Sequence, residues 1–430
     1  MTKRLLVVTA ILVLLTCLRA GAQQTIINHC PYSQRYWNEL ACLIPDLTTT
    51  GNSDIQGFNT TLGRVIGELP VAVPVSGFAL TLDKSTGVYM VSSDLGGVLT
   101  ERGSTLGKNK LFLGFTYQHF SFDEIDGTNL TKIQTVSAIT YNGSPAFLSS
   151  TNKLSASIDQ YTAIAAFGIS DRMDLSITLP IDNVSLSGTA TNRVEATNNG
   201  VLTPSPLNPQ SLTIGGSASG VGDLFLNGKY GVVKGESSRL AFGLEVRFPT
   251  GNEYNLLGSG STGFRPYIVY SRLGKRFHPH ANFGYQWNSQ SVLNLGANGT
   301  SLRLPDSLTY SAGVDYSVLK RLTLVGDFVG QHYFDATTIT RAQLATSTNV
   351  LGLGPPCVGA GNPPTCNSLN GTVSTVGVKN QSAFDEDNLA VGIKLNPAGR
   401  FVVSANVMIK LNDAGLRANY VPLVGISYKF

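Results

Sequence analysis

Residues 420–430 read Tyr-Val-Pro-Leu-Val-Gly-Ile-Ser-Tyr-Lys-Phe and alternate with a period of two. The even positions are all apolar or aromatic, whereas the odd positions end in Gly425, Ser427 and Lys429. Because successive side chains of a strand point to opposite faces, this alternation predicts a β-strand with one apolar face. By itself the pattern fits an ordinary amphipathic strand as well as a strand that crosses a membrane.

The chain stops on an aromatic residue of this strand. Phe430 is the last residue, and Tyr428 precedes it by two positions. This ending is similar to the C-terminal signature of bacterial outer-membrane β-barrel proteins. The similarity implies that Tyr428 and Phe430 act as an insertion signal for the barrel-assembly machinery of a Gram-negative cell.

The N-terminus has the pattern of a secretory signal peptide. Lys3 and Arg4 precede an apolar run at 5–18, and Ala-Gly-Ala follows at 20–22. The run is shorter than the ~20 residues of a membrane-spanning helix. The sequence therefore predicts export with removal of residues 1–22, and no later apolar run is long enough for a helical membrane protein.

The composition favours a barrel over a soluble enzyme. Charged residues make up 13% of the chain, well below the ~25% of soluble domains. Glycine is abundant, with 46 residues, as are Tyr and Phe, with 16 and 19. The formal net charge is only +4 and no basic stripe is present, so the sequence predicts no nucleic-acid partner.

From residue 108 onward the chain repeats one pattern, in which an alternating run of ten to fifteen residues is followed by a turn. A transmembrane strand needs ~9–11 residues, and bacterial barrels have an even number of strands. The pattern predicts an all-β fold, a transmembrane antiparallel β-barrel of about 12 strands with 14 as the alternative. The predicted strands are residues 108–122, 154–169, 173–186, 221–233, 238–249, 262–273, 276–288, 306–319, 321–334, 387–396, 399–411 and 418–430.

The connections between these strands alternate between tight and long. The long ones are predicted at 123–153, 187–220, 250–261, 289–305 and 335–386, and the two strands between successive long connections are joined by a tight turn. The last outer connection, near 412–415, is the short exception. Short periplasmic turns and long outer loops are typical of outer-membrane barrels, whereas a soluble sandwich has no reason to sort loops in this way. The C-terminus is therefore predicted to lie at the periplasmic rim.

Charged side chains fall on one parity of the strands and apolar side chains on the other. A charge against lipid costs ~2–4 kcal/mol at the bilayer midplane, so the charged parity should face the lumen. These charges could form cross-strand ion pairs or a polar constriction that selects solutes. Asp315 and Asp327, on neighbouring strands, are the best candidates for more than pairing. The lumen-lining candidates are Asp223, Lys229, Glu245, Arg247, Arg265, Asp315, Asp327, Lys394 and Lys410.

Residues 23–107 lack the barrel pattern and are predicted to be an N-terminal plug or a periplasmic segment. A separate small domain or a disordered arm is the alternative. A short helix is predicted at 33–44, ending at Pro45, and a hairpin is predicted from strands at 78–82 and 88–92.

Four cysteines remain after removal of the signal peptide, and they form two local pairs. In an oxidising compartment the disulfides Cys30–Cys42 and Cys357–Cys366 are the simplest of three possible connectivities. Neither pair has C-x-x-C spacing, so no metal site is predicted. His278 and His280 lie on one strand without a nearby carboxylate in sequence, and they give no metal prediction either.

Several stretches resemble the MetA-pathway phenol-degradation family of outer-membrane β-barrel proteins. The resemblance covers roughly 155–430 and excludes the N-terminal cysteine-bearing segment. It implies a barrel that moves small aromatic or hydrophobic molecules inward. The stretches are Ile-Ser-Asp-Arg-Met-Asp-Leu at 169–175, Leu-Pro at 179–180, Val-Gly-Asp-Leu at 221–224, Lys-Tyr at 229–230, Leu-Ala-Phe-Gly-Leu at 240–244, Arg-Phe-Pro-Thr-Gly at 247–251, Tyr-Ile-Val-Tyr-Ser at 267–271 and Asn-Phe-Gly-Tyr at 282–285.

The sequence thus predicts a passive channel or transporter in the bacterial outer membrane for small, hydrophobic or aromatic solutes. Its predicted partners are the solute, outer-membrane lipid and lipopolysaccharide, and no cofactor or catalytic residue is predicted. A structural or surface-interaction barrel that acts through its long loops is one alternative. A hydrolase is another, because His119 and His332 lie at outer strand ends, where an interfacial aromatic girdle is the competing interpretation.

Overall fold

Twelve antiparallel strands form a closed barrel in the computed structural model, as the sequence predicted. The structure describes residues 35, 39–47, 61, 65, 80–82, 89–91, 100–141, 144–198, 201–204, 210–235, 237–295, 299–319, 321–345, 372–398 and 400–430. The barrel strands are β1 Leu111–Phe122, β2 Ser144–Gly168, β3 Met173–Asn198, β4 Leu224–Lys234, β5 Ser238–Phe248, β6 Gly263–Arg272, β7 Phe277–Asn288, β8 Ser307–Leu319, β9 Leu322–Ala345, β10 Thr372–Ala398, β11 Phe401–Lys410 and β12 Tyr420–Lys429.

The C-terminal strand closes the ring. On one side of β12, Tyr428 pairs with Phe401 of β11. On the other side, Tyr428 pairs with Leu113 of β1. Every barrel strand therefore has two neighbours, and a sheet closed in this way leaves no unpaired backbone edge within a membrane.

The remaining elements are not among the twelve strands of the ring. Helix α1 spans Leu40–Leu47, and Leu130–Lys132 and Glu253–Asn255 form single 3₁₀ turns. Among the described residues, no helix has the length and hydropathy of a membrane-crossing helix. The short strands are Leu80–Leu82, Tyr89–Val91, Glu124–Ile125, Thr128–Asn129, Ile133–Tyr141, Val201–Pro204, Gln210–Val221, Gln290–Leu295, Ser301–Arg303 and Leu416–Arg417.

The described parts of the predicted loops at 123–153, 187–220 and 335–386 are largely strand. Strands β2, β3, β9 and β10 run on for 24 to 27 residues, and Ile133–Tyr141 and Gln210–Val221 add two further strands to β2 and β3. The extensions are rich in Ser and Thr on both parities, so they lack the apolar face by which the sequence revealed the other strands. Their ladders are backbone hydrogen bonds, which form without that face.

The N-terminal predictions meet the structure only in part. The predicted hairpin is present, with Leu80–Leu82 paired to Tyr89–Val91. Helix α1 continues through Pro45 to Leu47, beyond the predicted end. The signal peptide at 1–22 lies outside the described residues. So do Cys30, Cys357 and Cys366, and both disulfide pairings stay predictions.

The barrel has an apolar outer face and a polar inner face. On β5, Phe242 is 51% exposed, whereas Arg247 on the opposite parity is 1% exposed. The same division holds on β12, where Val424 and Ile426 are exposed. A soluble protein buries its apolar face, so this inverted arrangement places the strands in lipid, with the polar face inside. The protein lies in the bacterial outer membrane.

The two ends of the barrel differ. Short connections at 169–172, 235–237, 273–276, 320–321 and 399–400 join the strands at one end, which we call the turn end. The opposite end carries the long connections and strand extensions, and we call it the loop end. Because outer-membrane barrels have short periplasmic turns, the turn end is the periplasmic one. Phe430 lies there, where its backbone N–H donates to the Leu111 carbonyl over 2.8 Å.

Substituting Val424→Arg should destabilise the barrel by about 2–4 kcal/mol, because Val424 is 51% exposed at mid-strand and faces the bilayer midplane. Leu319→Arg is the matched control, since Leu319 is exposed at the turn end, where a charge reaches water. Guanidinium titration of protein folded into lipid vesicles would measure both. Equal losses for the two variants would contradict the assigned membrane position.

Candidate functional site

Residues 100–106, which we call the lumen segment, lie inside the barrel. They precede β1, and Thr100, Glu101, Arg102 and Ser104 are all buried. The Leu106 N–H donates to both carboxylate oxygens of Asp174, over 3.0 and 2.9 Å. Because β1 starts at the turn end, the segment enters the lumen from that end and runs inward along the wall.

The sequence of the lumen segment permits a close approach to the wall. The Gly103 N–H donates to Ser271 Oγ over 3.1 Å. A Cβ on Gly103 would come within 2.8 Å of the Arg239 carbonyl oxygen. Any larger residue at 103 would therefore push the segment away from β5.

A buried ion pair joins the lumen segment to β8. Arg102 contacts the Asp315 carboxylate, and Lys394 Nζ lies 3.7 Å from the same carboxylate. All three side chains are almost completely buried. Two cations thus flank one carboxylate.

Glu101, the neighbour of Arg102, forms a separate ion pair with the barrel wall. Its carboxylate accepts a hydrogen bond from Lys229 Nζ over 2.9 Å, and the same ammonium donates to the Arg102 carbonyl over 3.2 Å. Thr100 continues the series, because its hydroxyl donates to Asp327 over 3.3 Å. Three successive residues of the segment are thus held by β4, β8 and β9.

The second aspartate singled out by the sequence, Asp327, also contacts a histidine. His280 Nε2 lies 2.6 Å from the Asp327 carboxylate. His278 Nε2 lies 3.4 Å from the Ser317 hydroxyl. Within the described residues, no group of three or more His, Cys, Asp or Glu side chains has an arrangement that could hold a metal ion.

The nine predicted lumen residues lie on the inward parity but form separate groups. Lys229, Asp315, Asp327 and Lys394 meet at the lumen segment. Asp223 and Arg247 lie 3.9 Å apart. Asp223 also accepts hydrogen bonds from the inward-folded connection at 249–262, from the backbone N–H groups of Gly251 and Ser259. Glu245 and Arg265 form a 2.8 Å pair midway along the lumen.

Lys410 is the ninth, and it lies at the loop end. Its ammonium contacts Glu124 and lies 3.0 Å from Asp413. The hydrogen bond from Lys410 lowers the pKa of the Asp413 carboxyl in the adjoining turn. This group closes the short connection between β11 and β12 and is separate from the groups around the lumen segment.

Sequence reasoning missed Glu101, Arg102, Asp174 and Asp182. Asp174 and Asp182 lie on the buried parity of β3, and the alternation of that strand could have identified them as lumen residues. Glu101 and Arg102 precede the first strand, where the sequence has no periodicity. Only their contacts across the lumen reveal their position.

A cavity of about 190 Å³ lies in the lumen beside Glu101, and we call it the lumen cavity. One part of its wall is apolar, and the rest carries amides, hydroxyls and paired charges. The apolar and aromatic lining includes Val65, Phe120, Phe122, Tyr333, Met408 and Val421. The polar lining includes Ser176, Asn227, Glu245, Arg265, Tyr267, Asn282, Gln286, Gln331, Glu386, Asn388 and Arg417.

Tyr267 is positioned in this wall by a glycine. A Cβ on Gly243 would lie 2.0 Å from the Tyr267 ring, so the ring occupies the space that a side chain would fill. The Tyr267 hydroxyl then donates to Asn227 Oδ1 over 2.8 Å. Arg265 lies over the ring at 5.9 Å from its centroid, a cation–π distance.

His119 and His332 both lie on the outer face near the loop end. His119 Nδ1 is 2.7 Å from Asp159, and His332 Nδ1 is 2.9 Å from Asp385. Within the described chain, the hydrogen-bond partner of each histidine is therefore a carboxylate and not a nucleophilic hydroxyl. The aromatic neighbours of these histidines fit the interfacial girdle interpretation.

Substituting Arg102→Gln should free the lumen segment from the wall. Removing one partner of a buried pair leaves the other charge poorly compensated, which costs about 3–5 kcal/mol. Backbone amides at 100–106 should then exchange hydrogen faster by about two to three orders of magnitude, as measured by mass spectrometry. Arg303→Gln is the control, because Arg303 is exposed and its pair with Asp306 is a surface pair. Unchanged exchange in the Arg102 variant would show that the pair does not hold the segment.

Comparisons with known proteins found a family and several solved barrels. A Pseudomonas aeruginosa FadL homologue is 10% identical, with 84% of this chain and 99% of that chain covered and a TM-score of 0.32. The translocator domain of autotransporter NalP from Neisseria meningitidis is 10% identical, with coverages of 75% and 89% and a TM-score of 0.31. The DcaP channel of Acinetobacter baumannii is 8% identical, with coverages of 75% and 96% and a TM-score of 0.28.

These similarities are low, and the closed ring of strand pairings identifies the fold without them. No curated protein matches the sequence. Residues 160–356, a little under half of the chain, match the family described as "Putative MetA-pathway of phenol degradation", which confirms the resemblance drawn from the sequence.

Proposed function

We propose that this protein is a passive outer-membrane channel for small hydrophobic or aromatic solutes. The observation that carries the proposal is the lumen cavity, a space of about 190 Å³ inside a membrane-spanning barrel. Ligand sites are concave and mostly apolar, with a few polar groups that fix orientation. The lumen cavity has this composition and lies inside the barrel.

The apolar part of the cavity favours planar rings. Phe120 and Phe122 lie with ring centroids 6.2 Å apart and nearly parallel planes. Tyr333 and Met408 extend the same surface. Burying apolar surface yields ~25 cal/mol per Å², and aromatic pairs add to this at centroid separations of roughly 4.5–7 Å. A small aromatic solute can use both contributions.

We further propose that residues 23–107 act as a plug. The lumen segment occupies the lumen toward the turn end, and Val65 lines the lumen cavity. Helix α1 packs against β3 and Gln210–Val221, toward the loop end. Described parts of the N-terminal segment are thus present on both sides of the cavity, and solute must pass between them and the wall.

The exposed side chains of the outer surface support two further proposals, on membrane insertion of the barrel and on its contact with lipid. Tyr428 and Phe430 are both exposed at the turn end, with ring centroids 4.7 Å apart. We propose that this pair is the signal for the barrel-assembly machinery. The exposed apolar parity would contact lipid, and the outer strand ends would contact lipopolysaccharide.

Substituting Met408→Trp should reduce solute uptake by about tenfold, because the larger side chain fills a cavity that must enclose most of a ligand. Val407→Trp is the matched control, since Val407 immediately precedes Met408 on β11 and faces lipid. Uptake of radiolabelled benzyl alcohol by a deletion strain carrying each variant is the measurement. Equal uptake by the two variants, or no loss in the deletion strain, would refute the channel.

A surface-interaction protein is the second candidate, favoured by the strand extensions. Strands of 24 to 27 residues are far longer than the ~9–11 residues that cross a membrane. The excess extends β2, β3, β9 and β10 beyond the loop end. Such a projection could contact another cell without affecting transport.

Replacing residues 336–382 by an Asn-Gly turn separates the two functions. Ala336 pairs with Ser382, so the cut removes the projecting hairpin while the barrel part of β9 and β10 keeps its register. If the projection mediates adhesion, cells with the trimmed protein should sediment more slowly while their solute uptake stays normal. Identical sedimentation of the two strains would remove the support for this candidate.

A further inference from the structure

The charges around the lumen cavity are arranged in pairs. Three carboxylates line it, those of Glu101, Glu245 and Glu386. Glu245 lies 2.8 Å from Arg265, and Glu386 lies 3.6 Å from Arg417. The third, Glu101, is 2.9 Å from the ammonium of Lys229. Among the residues that the structure describes, each carboxylate of the cavity wall therefore has its own cation.

Paired charges make the cavity polar but electrically neutral. An ion that enters gives up its hydration, and a carboxylate or ammonium in a low-dielectric space needs an uncompensated opposite charge in return. The cavity offers such a charge only if one of its pairs is broken. An uncharged solute meets no such penalty, since amide and hydroxyl groups can satisfy a hydroxyl-type substituent.

We propose that the lumen cavity binds uncharged aromatic molecules with one hydrogen-bonding substituent, and that it excludes ions because the charges of Glu245 and Arg265 compensate each other. This inference rests on the proposed channel function and adds the charge class of the solute and the residues that select it. The ring lies against Phe120 and Phe122, and the substituent faces the polar wall.

The Glu245–Arg265 pair is assigned this role because it is the most open of the three. Its side chains are 30% exposed at Arg265 and 14% at Glu245, against 3% at Lys229. Arg417 is held by further hydrogen bonds, to the Asp387 carbonyl over 2.6 Å and to Asn388 Oδ1 over 2.8 Å. A solute therefore meets the Glu245–Arg265 pair more directly than the others.

Three probes of the same size and different charge test the proposal. Benzyl alcohol, benzoate and benzylammonium each carry one substituent on a benzene ring. Equilibrium dialysis of the full-length protein in detergent, with radiolabelled probes at neutral pH, gives their dissociation constants. The wild type should bind benzyl alcohol about tenfold more tightly than either ion, because neither ion finds an uncompensated charge.

Breaking the pair should switch the preference in opposite directions. Glu245→Gln leaves Arg265 uncompensated, and benzoate should gain about tenfold or more in affinity relative to benzyl alcohol. Arg265→Gln leaves Glu245 uncompensated, and benzylammonium should gain by a similar factor. The double variant is neutral again, so it should return to the wild-type order, as should Arg303→Gln outside the cavity.

Two results would overturn the proposal. One is wild-type protein that binds an ion as tightly as benzyl alcohol. The other is single variants that shift in the same direction or not at all. If Glu245→Gln does not fold, Arg265→Gln carries the test alone and must shift the preference toward benzylammonium.

Binding and transport can fail separately. If the three probes bind with the expected order of affinity but benzyl alcohol is not taken up, the channel function is refuted and the binding site in the lumen cavity still stands. If all three probes are taken up equally, the charge selection is refuted and the channel function still stands.

Discussion

The buried contact between Arg102 and Asp315 constrains the whole interior of this barrel. Asp315 is fully buried on β8, and a carboxylate in that position requires a cation. Lys394, at 3.7 Å, supplies part of the compensation, but Arg102 makes the direct contact from a segment that belongs to no strand. The position of the lumen segment follows from this requirement, and so does the location of the cavity beside Glu101.

Compensation of charge is repeated along the lumen. The lumen segment brings one anion and one cation, Glu101 and Arg102, to a wall that presents Lys229 and Asp315 in complementary positions. Farther along, Glu245 and Arg265 neutralise each other without help from the segment. Interiors built in this way tolerate little disturbance, because losing one partner leaves a charge in a space with few alternatives. The same property suits a passage that admits neutral molecules.

Much of the fold could be read from the sequence, because alternation between lipid and lumen is local information. The twelve predicted strands correspond to the twelve strands of the ring, and Asp315 and Asp327 were recognised as lumen residues from parity alone. The extensions of β2, β3, β9 and β10 were predicted as loops, since Ser and Thr on both faces give no apolar period. The termination of α1 at Pro45 was also predicted wrongly, because a proline near the end of a helix removes one hydrogen bond without stopping the last turn.

By itself the sequence determined the barrel class, the direction of its strands and the face that each side chain takes, because these depend on neighbours two residues apart and on the cost of a charge in lipid. Only the tertiary structure decided which charges meet. Arg102 and Asp315 are 213 positions apart, and Glu101 and Lys229 are 128 apart. No local period encodes such pairs. They arise because the closed ring confines the lumen segment to a narrow interior, where each buried charge takes the partner that the geometry brings within reach.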